Sequence, residues 1–353
     1  MKTRAAVHVE HGKPMVIDEI ELPDPGDNFV IVKQFASGVC HSQLHQLHNP
    51  NQRVPIVIGH ESTGVVTAKG RNVTHVKEGD HVMTTWLPRG AHEGYRDAEP
   101  TVVKFRGQEM RQGVFTSVFT WAEDVIVDSE YVVPMDKDVA TDVTCIIGCA
   151  VMTGCGAAIN TAKVRPGDSV AVFGVGGVGL CIVQAAANLS ASPIIVVDLS
   201  DEKLEFAKQF GATIGINART EDPIARIKEI TGGGADFAFD AIGAKVTMEQ
   251  ILQCVRDGIF GYSEGGTAML VGVPQTTAEL QMGQIFRGAK IYRGTVGGTG
   301  RPDRDFPLYV RWYKEGKLPL DKLVSRRYKL EEINQAVADL EQGKIAGRAI
   351  LTF

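Results

Sequence analysis

The sequence predicts an α/β chain of two domains, one built on an antiparallel β-sheet and one on a doubly wound parallel sheet. Three observations predict it. The run Ser169-Val170-Ala171-Val172-Phe173-Gly174-Val175-Gly176-Gly177-Val178-Gly179 passes from β-branched and aromatic residues into Gly-x-Gly-x-x-Gly. The helical apolar pattern Leu180, Ile182, Val183, Ala186, Ala187 follows at once, so the stretch reads as strand, tight turn and helix. From residue 156 strand and helix patterns alternate, the mark of a parallel sheet with helices on both faces. Residues 1–35 differ: short strand patterns at 5–9 and 30–33 are separated by turns such as Pro23-Asp24-Pro25-Gly26, as in antiparallel sheets.

At 353 residues the chain is long for one core and fits about two domains. Its net charge of −5 is spread over scattered residues, with no basic face to track phosphates, which argues against a nucleic-acid partner. No apolar run approaches the roughly 20 residues of a membrane span. The start Met1-Lys2-Thr3-Arg4 leads into a strand pattern rather than a signal peptide. The expectation is a cytoplasmic protein with no membrane partner. Six cysteines (Cys40, Cys145, Cys149, Cys155, Cys181, Cys254) do not make a disulfide framework in a chain this size. They are read as reduced, and so available as core residues or metal ligands.

Each position of the glycine motif has a physical task. Gly174 permits the turn, Gly176 lets the backbone approach a pyrophosphate, and Gly179 lets helix and strand pack closely, while the helix N-terminus faces the anion. Gly177 and Val178 complete the candidate loop. A second apolar run, Pro193-Ile194-Ile195-Val196-Val197, ends in Asp198, roughly 20 residues after the last glycine, where a carboxylate binds ribose hydroxyls. That carboxylate would repel a 2′-phosphate and no arginine directly follows it, so the expected cofactor is NAD rather than NADP. Residues 201–210 read as a helix stopped at Gly211, and 237–243 and 268–273 read as further strand units.

Upstream lie Gly38-Val39-Cys40-His41-Ser42-Gln43-Leu44-His45, then Gly59-His60-Glu61, then Gly148-Cys149-Ala150-Val151-Met152-Thr153-Gly154. Two thiolates and an imidazole are a frequent catalytic zinc set, leaving a fourth position open. Cys40, His60 and Cys149 form such a set, although spacing alone leaves them equally readable as buried core residues. Taken in this order with Val172-Phe173-Gly174-Val175-Gly176-Gly177-Val178-Gly179, these motifs resemble the zinc-containing alcohol dehydrogenases of the medium-chain dehydrogenase family. The resemblance extends along nearly the whole chain, to Gly347-Arg348-Ala349-Ile350-Leu351-Thr352-Phe353. It implies a GroES-like antiparallel catalytic domain over 1–155, a Rossmann NAD-binding domain over 156–295, and a return to the catalytic domain over 296–353.

The resemblance also implies roles. Cys40, His60 and Cys149 would hold one catalytic zinc. Ser42 stands where the family has the hydroxyl that bonds the reacting alcohol oxygen, and His45 where some members end a proton relay to solvent. His48 is a rival for that task. Glu61 would lie near the metal without being a resting ligand. Thr153 would pack on the nicotinamide, and Arg348 would pair with the pyrophosphate. Lys203, Val271 and Val273 fall at further cofactor positions, and Trp86 where a large aromatic lines the substrate cleft.

Three departures stand out. Gln43 occupies the place of an aspartate that accepts from the zinc histidine; its carbonyl is expected to take the imidazole N–H without charge and to weaken zinc binding. His41 replaces an arginine found in several members, so cofactor phosphates would be held more loosely. No cysteine lies between Trp86 and Trp121, where many relatives bind a structural zinc, so one zinc per subunit is expected. The segment 88–100 reads as a solvated loop or as a lid or subunit contact.

The expected activity is reversible, zinc-dependent oxidation of an alcohol to an aldehyde or ketone with NAD, in a homodimer or homotetramer. Alternatives are oxidation of a hydroxymethyl-thiol adduct, aldehyde reduction, or, against the metal triad, a zinc-free quinone or enoyl reductase. Trp86 and the small Ser42 point to longer or aromatic primary alcohols.

Overall fold

The computed structural model describes residues 1–90, 96–111, 118–259, 261–274 and 276–353. Two compact units emerge: Met1–Cys149 with Arg301–Phe353, and Ala150–Gly300. The divisions therefore fall after 149 and after 300, rather than at the expected 155/156 and 295/296. Close packing explains both. A β-carbon on Gly154, in the helix Ala150–Gly156, would lie 2.5 Å from Cys181 Cβ, which binds this helix to the parallel-sheet unit. A β-carbon on Gly298 would lie 2.7 Å from Gly156 Cα and does the same for the turn Gly297–Thr299.

Among its described residues the first unit contains two sheets. One runs Ile56–Val57, Lys2–His8, Val16–Glu21, Val102–Phe105, Gln108–Arg111 and is antiparallel throughout. The other is centred on the strand Phe29–Val39, buried along almost its whole length because it pairs with Ser62–Lys69, Asp124–Asp128 and Arg348–Thr352. Ala349 opposite Val39 and Ile350 opposite Gly38 set the register. This pairing brings Arg348, from the end of the chain, level with Cys40. The core beneath includes the fully buried Phe119 and Trp121, whose indole N–H donates to the Gly38 carbonyl at 3.1 Å. Of the segment 88–100, residues 91–95 lie outside the described residues.

The second unit holds six parallel strands in the order Ile214–Asn217, Ile194–Asp198, Val170–Phe173, Phe237–Asp240, Thr267–Leu270, Ile291–Gly294. This is the doubly wound order, whose direction reverses between Val170–Phe173 and Phe237–Asp240. The helix expected over 201–210 is α-helical at Asp201–Ala207, tightens to 3₁₀ at Lys208–Phe210 and stops at Gly211. All six cysteines lack disulfides. Among the described residues no helix is long and apolar enough to cross a membrane.

Candidate active site

The three candidate ligands come from two adjoining strands of one sheet and from a 3₁₀ segment. Cys40 ends the strand Phe29–Val39 at the start of the helix His41–His48. His60 precedes Ser62–Lys69, whose first residue pairs with Ser37. Cys149 ends the 3₁₀ segment Val143–Gly148, held by a 2.6 Å bond from Thr85 Oγ1 to the Gly148 carbonyl. Their ligand atoms all lie within 4.8 Å of one another, with both thiols buried.

The surrounding charges suit a dication. The Cys149 thiol donates to Cys40, and with Arg348 and His60 nearby this holds Cys40 well below the ordinary thiol range despite burial. The same bond and burial push Cys149 well up. Arg348 is buried and ion-paired with Glu61. Burial opposes its charge, but Cys40, Glu61 and Cys149 together hold its pKa above normal. With both thiols ionised, Glu61 and the two thiolates outweigh Arg348 by two charges, the deficit a divalent cation fills. Two soft sulfurs and an imidazole favour zinc among such ions.

The Arg348 guanidinium is turned inward to Glu61 because the register beside Val39 buries it. Gln43 differs from expectation. Its Oε1 accepts from the Cys40 backbone N–H at 2.6 Å, so the amide nitrogen, not the carbonyl, faces His60 Nδ1 at 2.5 Å. The need to cap the helix His41–His48 decides that orientation.

Ser42 Oγ is buried and meets no hydrogen-bond partner among the described residues, as suits a hydroxyl meant for an incoming alcohol. Trp86 is half-buried and its indole N–H is likewise buried without a partner. His45 is half-buried, and burial lowers its pKa against a pull upward from Cys40. The rival His48 is exposed and bonded to Glu341 at 2.6 Å. His41 lies exposed at the first turn of the same helix.

In the second unit, Gly174 turns at φ +86°, and a β-carbon on Gly179 would stand 1.8 Å from the Gly174 carbonyl oxygen. A β-carbon on Gly176 would meet nothing within 4 Å, so this backbone is open to approach. The helix Gly177–Asn188, which includes Val178, begins there with no side-chain cap on its first N–H groups. Asp198 accepts from the N–H groups of Val175 (3.1 Å), Leu199 (2.7 Å) and Ser200 (3.2 Å), which leaves about one acceptor direction for a ribose hydroxyl. Lys203 lies in the following helix, its N–H capped by Ser200 Oγ. Val271 is buried and Val273 exposed beyond the strand Thr267–Leu270, and Thr153 is buried in the helix Ala150–Gly156. Leu199, Ile242 and Val246, which sequence reasoning did not single out, are exposed apolar side chains beyond the strand ends. Their signal was available, since each closely follows an apolar run that ends in an aspartate.

Comparison with known proteins agrees with this geometry. Residues 26–137 match the alcohol dehydrogenase GroES-like domain and residues 177–315 the zinc-binding dehydrogenase family. The chain is 34% identical to the NDMA-dependent alcohol dehydrogenase of Amycolatopsis methanolica, covering 98% of this chain and 97% of that one. It is also 34% identical to the S-(hydroxymethyl)glutathione dehydrogenase of Synechocystis sp., over 98% of each chain. The crystal structure of benzyl alcohol dehydrogenase from Acinetobacter calcoaceticus superposes with a TM-score of 0.88 at 33% identity, covering 100% of this chain and 99% of that one. The chain is thus a member of the zinc-binding alcohol dehydrogenases of the medium-chain dehydrogenase family.

Proposed function

We propose that the protein reversibly oxidises an alcohol to an aldehyde or ketone, with one zinc per subunit and NAD as the hydride acceptor. The observation that carries this is the Cys40, His60 and Cys149 set, both thiols buried, with a Ser42 hydroxyl that has no partner among the described residues. Zinc supplies Lewis-acid polarisation of a hydroxyl and NAD the hydride-accepting carbon. The chain's own residues do the rest. Ser42 Oγ accepts the hydroxyl proton as it gives up its own, and His45, whose pKa burial lowers, ends the relay toward solvent. Arg348 offsets one of the negative charges that Glu61 and the two thiolates bring to the site. The open Gly176 backbone, the uncapped N-terminus of Gly177–Asn188 and Asp198 support dinucleotide binding, and the carboxylate favours NAD over NADP.

Trp86, an aromatic wall carrying a buried N–H, favours aromatic or longer primary alcohols. The name of the Acinetobacter relative supports that reading, and the name of the Synechocystis relative makes a hydroxymethyl-thiol adduct the competitor to include. A homo-oligomer is supported by the edge strand Ile291–Gly294 and the exposed Tyr262, Met282 and Phe286 in the same unit. Six unbridged cysteines support a cytoplasmic setting.

The test is elemental zinc per subunit together with NADH formation across primary, secondary and aromatic alcohols and a hydroxymethyl-thiol adduct, before and after chelation. About one zinc and chelator-sensitive NADH formation is the expected result. A zinc-free protein that oxidises NADPH would sink the proposal. Turnover only with NDMA would move the chain to the mode named for the Amycolatopsis relative.

A further inference from the structure

Asp240 closes the strand Phe237–Asp240 and is fully buried, and among the described residues no cation pairs with it. Its carboxylate instead accepts from the N–H groups of Ile242 at 2.8 Å and Gly243 at 3.1 Å, neither of which has an acceptor outside Asp240 among the described residues. Its main-chain carbonyl accepts from Val271 at 2.9 Å and Gly272 at 2.8 Å. One residue therefore holds the turns after two paired strands, Phe237–Asp240 and Thr267–Leu270. Glycine lets those turns meet. A β-carbon on Gly243, at φ +84°, would strike the Val273 carbonyl oxygen, and one on Gly272 would strike the main chain of Ile242. On the other side, a β-carbon on Gly174 would strike the Ile242 side chain. Ile242 thus bridges the turns on both sides of the point where the strand order reverses, and it stays 47% exposed there. In an open parallel sheet that is where the ligand crevice lies.

We propose that Asp240 is a positioning residue for the dinucleotide, its carboxylate fixing the turn 241–243 before the cofactor arrives. The proposal rests on the reading that NAD binds at this reversal of the sheet. A wall that is already ordered has no conformational freedom left to lose at binding, so the gain is affinity for the cofactor. Burial opposes the arrangement and raises the pKa of the Asp240 carboxyl against the pull of its hydrogen bonds. The carboxylate is thus kept in the interior at a cost, and the two N–H groups are what it holds. Asparagine keeps an oxygen at the place that accepts both of them, whereas alanine removes it.

The experiment has two readouts on the full-length protein. NAD binding, followed by titration calorimetry without turnover, is compared for the native protein, Asp240→Ala, Asp240→Asn and Ile227→Ala. Ile227 is a core residue of the same unit, on the helix Pro223–Thr231, which supplies none of these turns. The Kd for NAD is expected to rise about tenfold or more in Asp240→Ala and to stay within about threefold of native in Asp240→Asn. Ile227→Ala is expected to lower the thermal midpoint and leave the Kd unchanged, which separates lost positioning from lost stability. Hydrogen–deuterium exchange on the cofactor-free native protein is the second readout and needs no variant to fold: the amides of Ile242 and Gly243 are expected to be protected. Fast exchange at those amides, a native Kd in Asp240→Ala, or an equal loss of affinity in Asp240→Asn or Ile227→Ala would overturn the proposal while leaving the NAD reading intact. A native protein that binds no NAD would overturn both.

Discussion

At the scale of single residues, charge and burial decide what matters. The Arg348–Glu61 pair is buried on both sides, so removing one partner strands the other charge. Arg348→Ala is expected to lower stability by about 3–5 kcal/mol, and the double variant with Glu61→Ala by less than the sum of the two singles. Denaturant unfolding of the four proteins tests this, and additive losses would show that the pair is not coupled. His8 presents a different case. Both ring nitrogens are buried without a hydrogen-bond partner among the described residues, and burial, with a smaller push from His11, lowers its pKa. The folded state then binds fewer protons than the unfolded one. Stability is therefore fully present above the unfolded value of about 6.5 and is lost as pH falls toward the lower folded value. His45 and His75 shift the same way, burial leading in each. The thermal midpoint is expected to fall between about pH 7 and pH 5, with a shallower fall in His8→Leu. A midpoint that stays constant across that range would contradict the assignment.

At the scale of elements, the glycine motif separates packing from binding. Gly179→Ala forces a methyl group against the Gly174 carbonyl oxygen, which neither the turn nor the helix Gly177–Asn188 has room to avoid. A stability loss of about 1–3 kcal/mol is expected, together with weaker NAD binding. Gly176→Ala points into open space, so the thermal midpoint is expected to stay near the native value while the KM for NAD rises. Measuring both quantities on both variants distinguishes the roles. A KM for NAD that stays unchanged in Gly176→Ala would mean that the open space beside Gly176 plays no part in binding.

At the scale of the whole molecule, the parallel sheet ends in the edge strand Ile291–Gly294, paired on one side only among the described residues, in a unit that exposes Phe286 at 77% and Tyr262 at 86%. So much bare aromatic surface fits a covered face better than a solvated one. The proposed homo-oligomer is expected to give way to a monomer in sedimentation velocity for Phe286→Glu with Tyr262→Glu. An unchanged sedimentation coefficient would place the subunit contact elsewhere.

Much of this was legible in the sequence because the informative patterns are local. Strand, glycine turn and helix over 169–188 follow from residue types at fixed offsets, and Asp198 closes an apolar run. The triad of Cys40, His60 and Cys149 was legible as a set of residue types, whose convergence depends on two paired strands and a 3₁₀ segment far apart in sequence. Tertiary structure alone decided where Arg348 points, because the pairing of Ala349 with Val39 is a long-range contact that no local pattern encodes. It also decided the division at 149, since that turns on how near Gly154 comes to Cys181. The orientation of Gln43 belongs to the same class. An amide has two unlike ends, and which one faces His60 depends on the competing demand of the Cys40 N–H, a donor that exists only once the helix has formed.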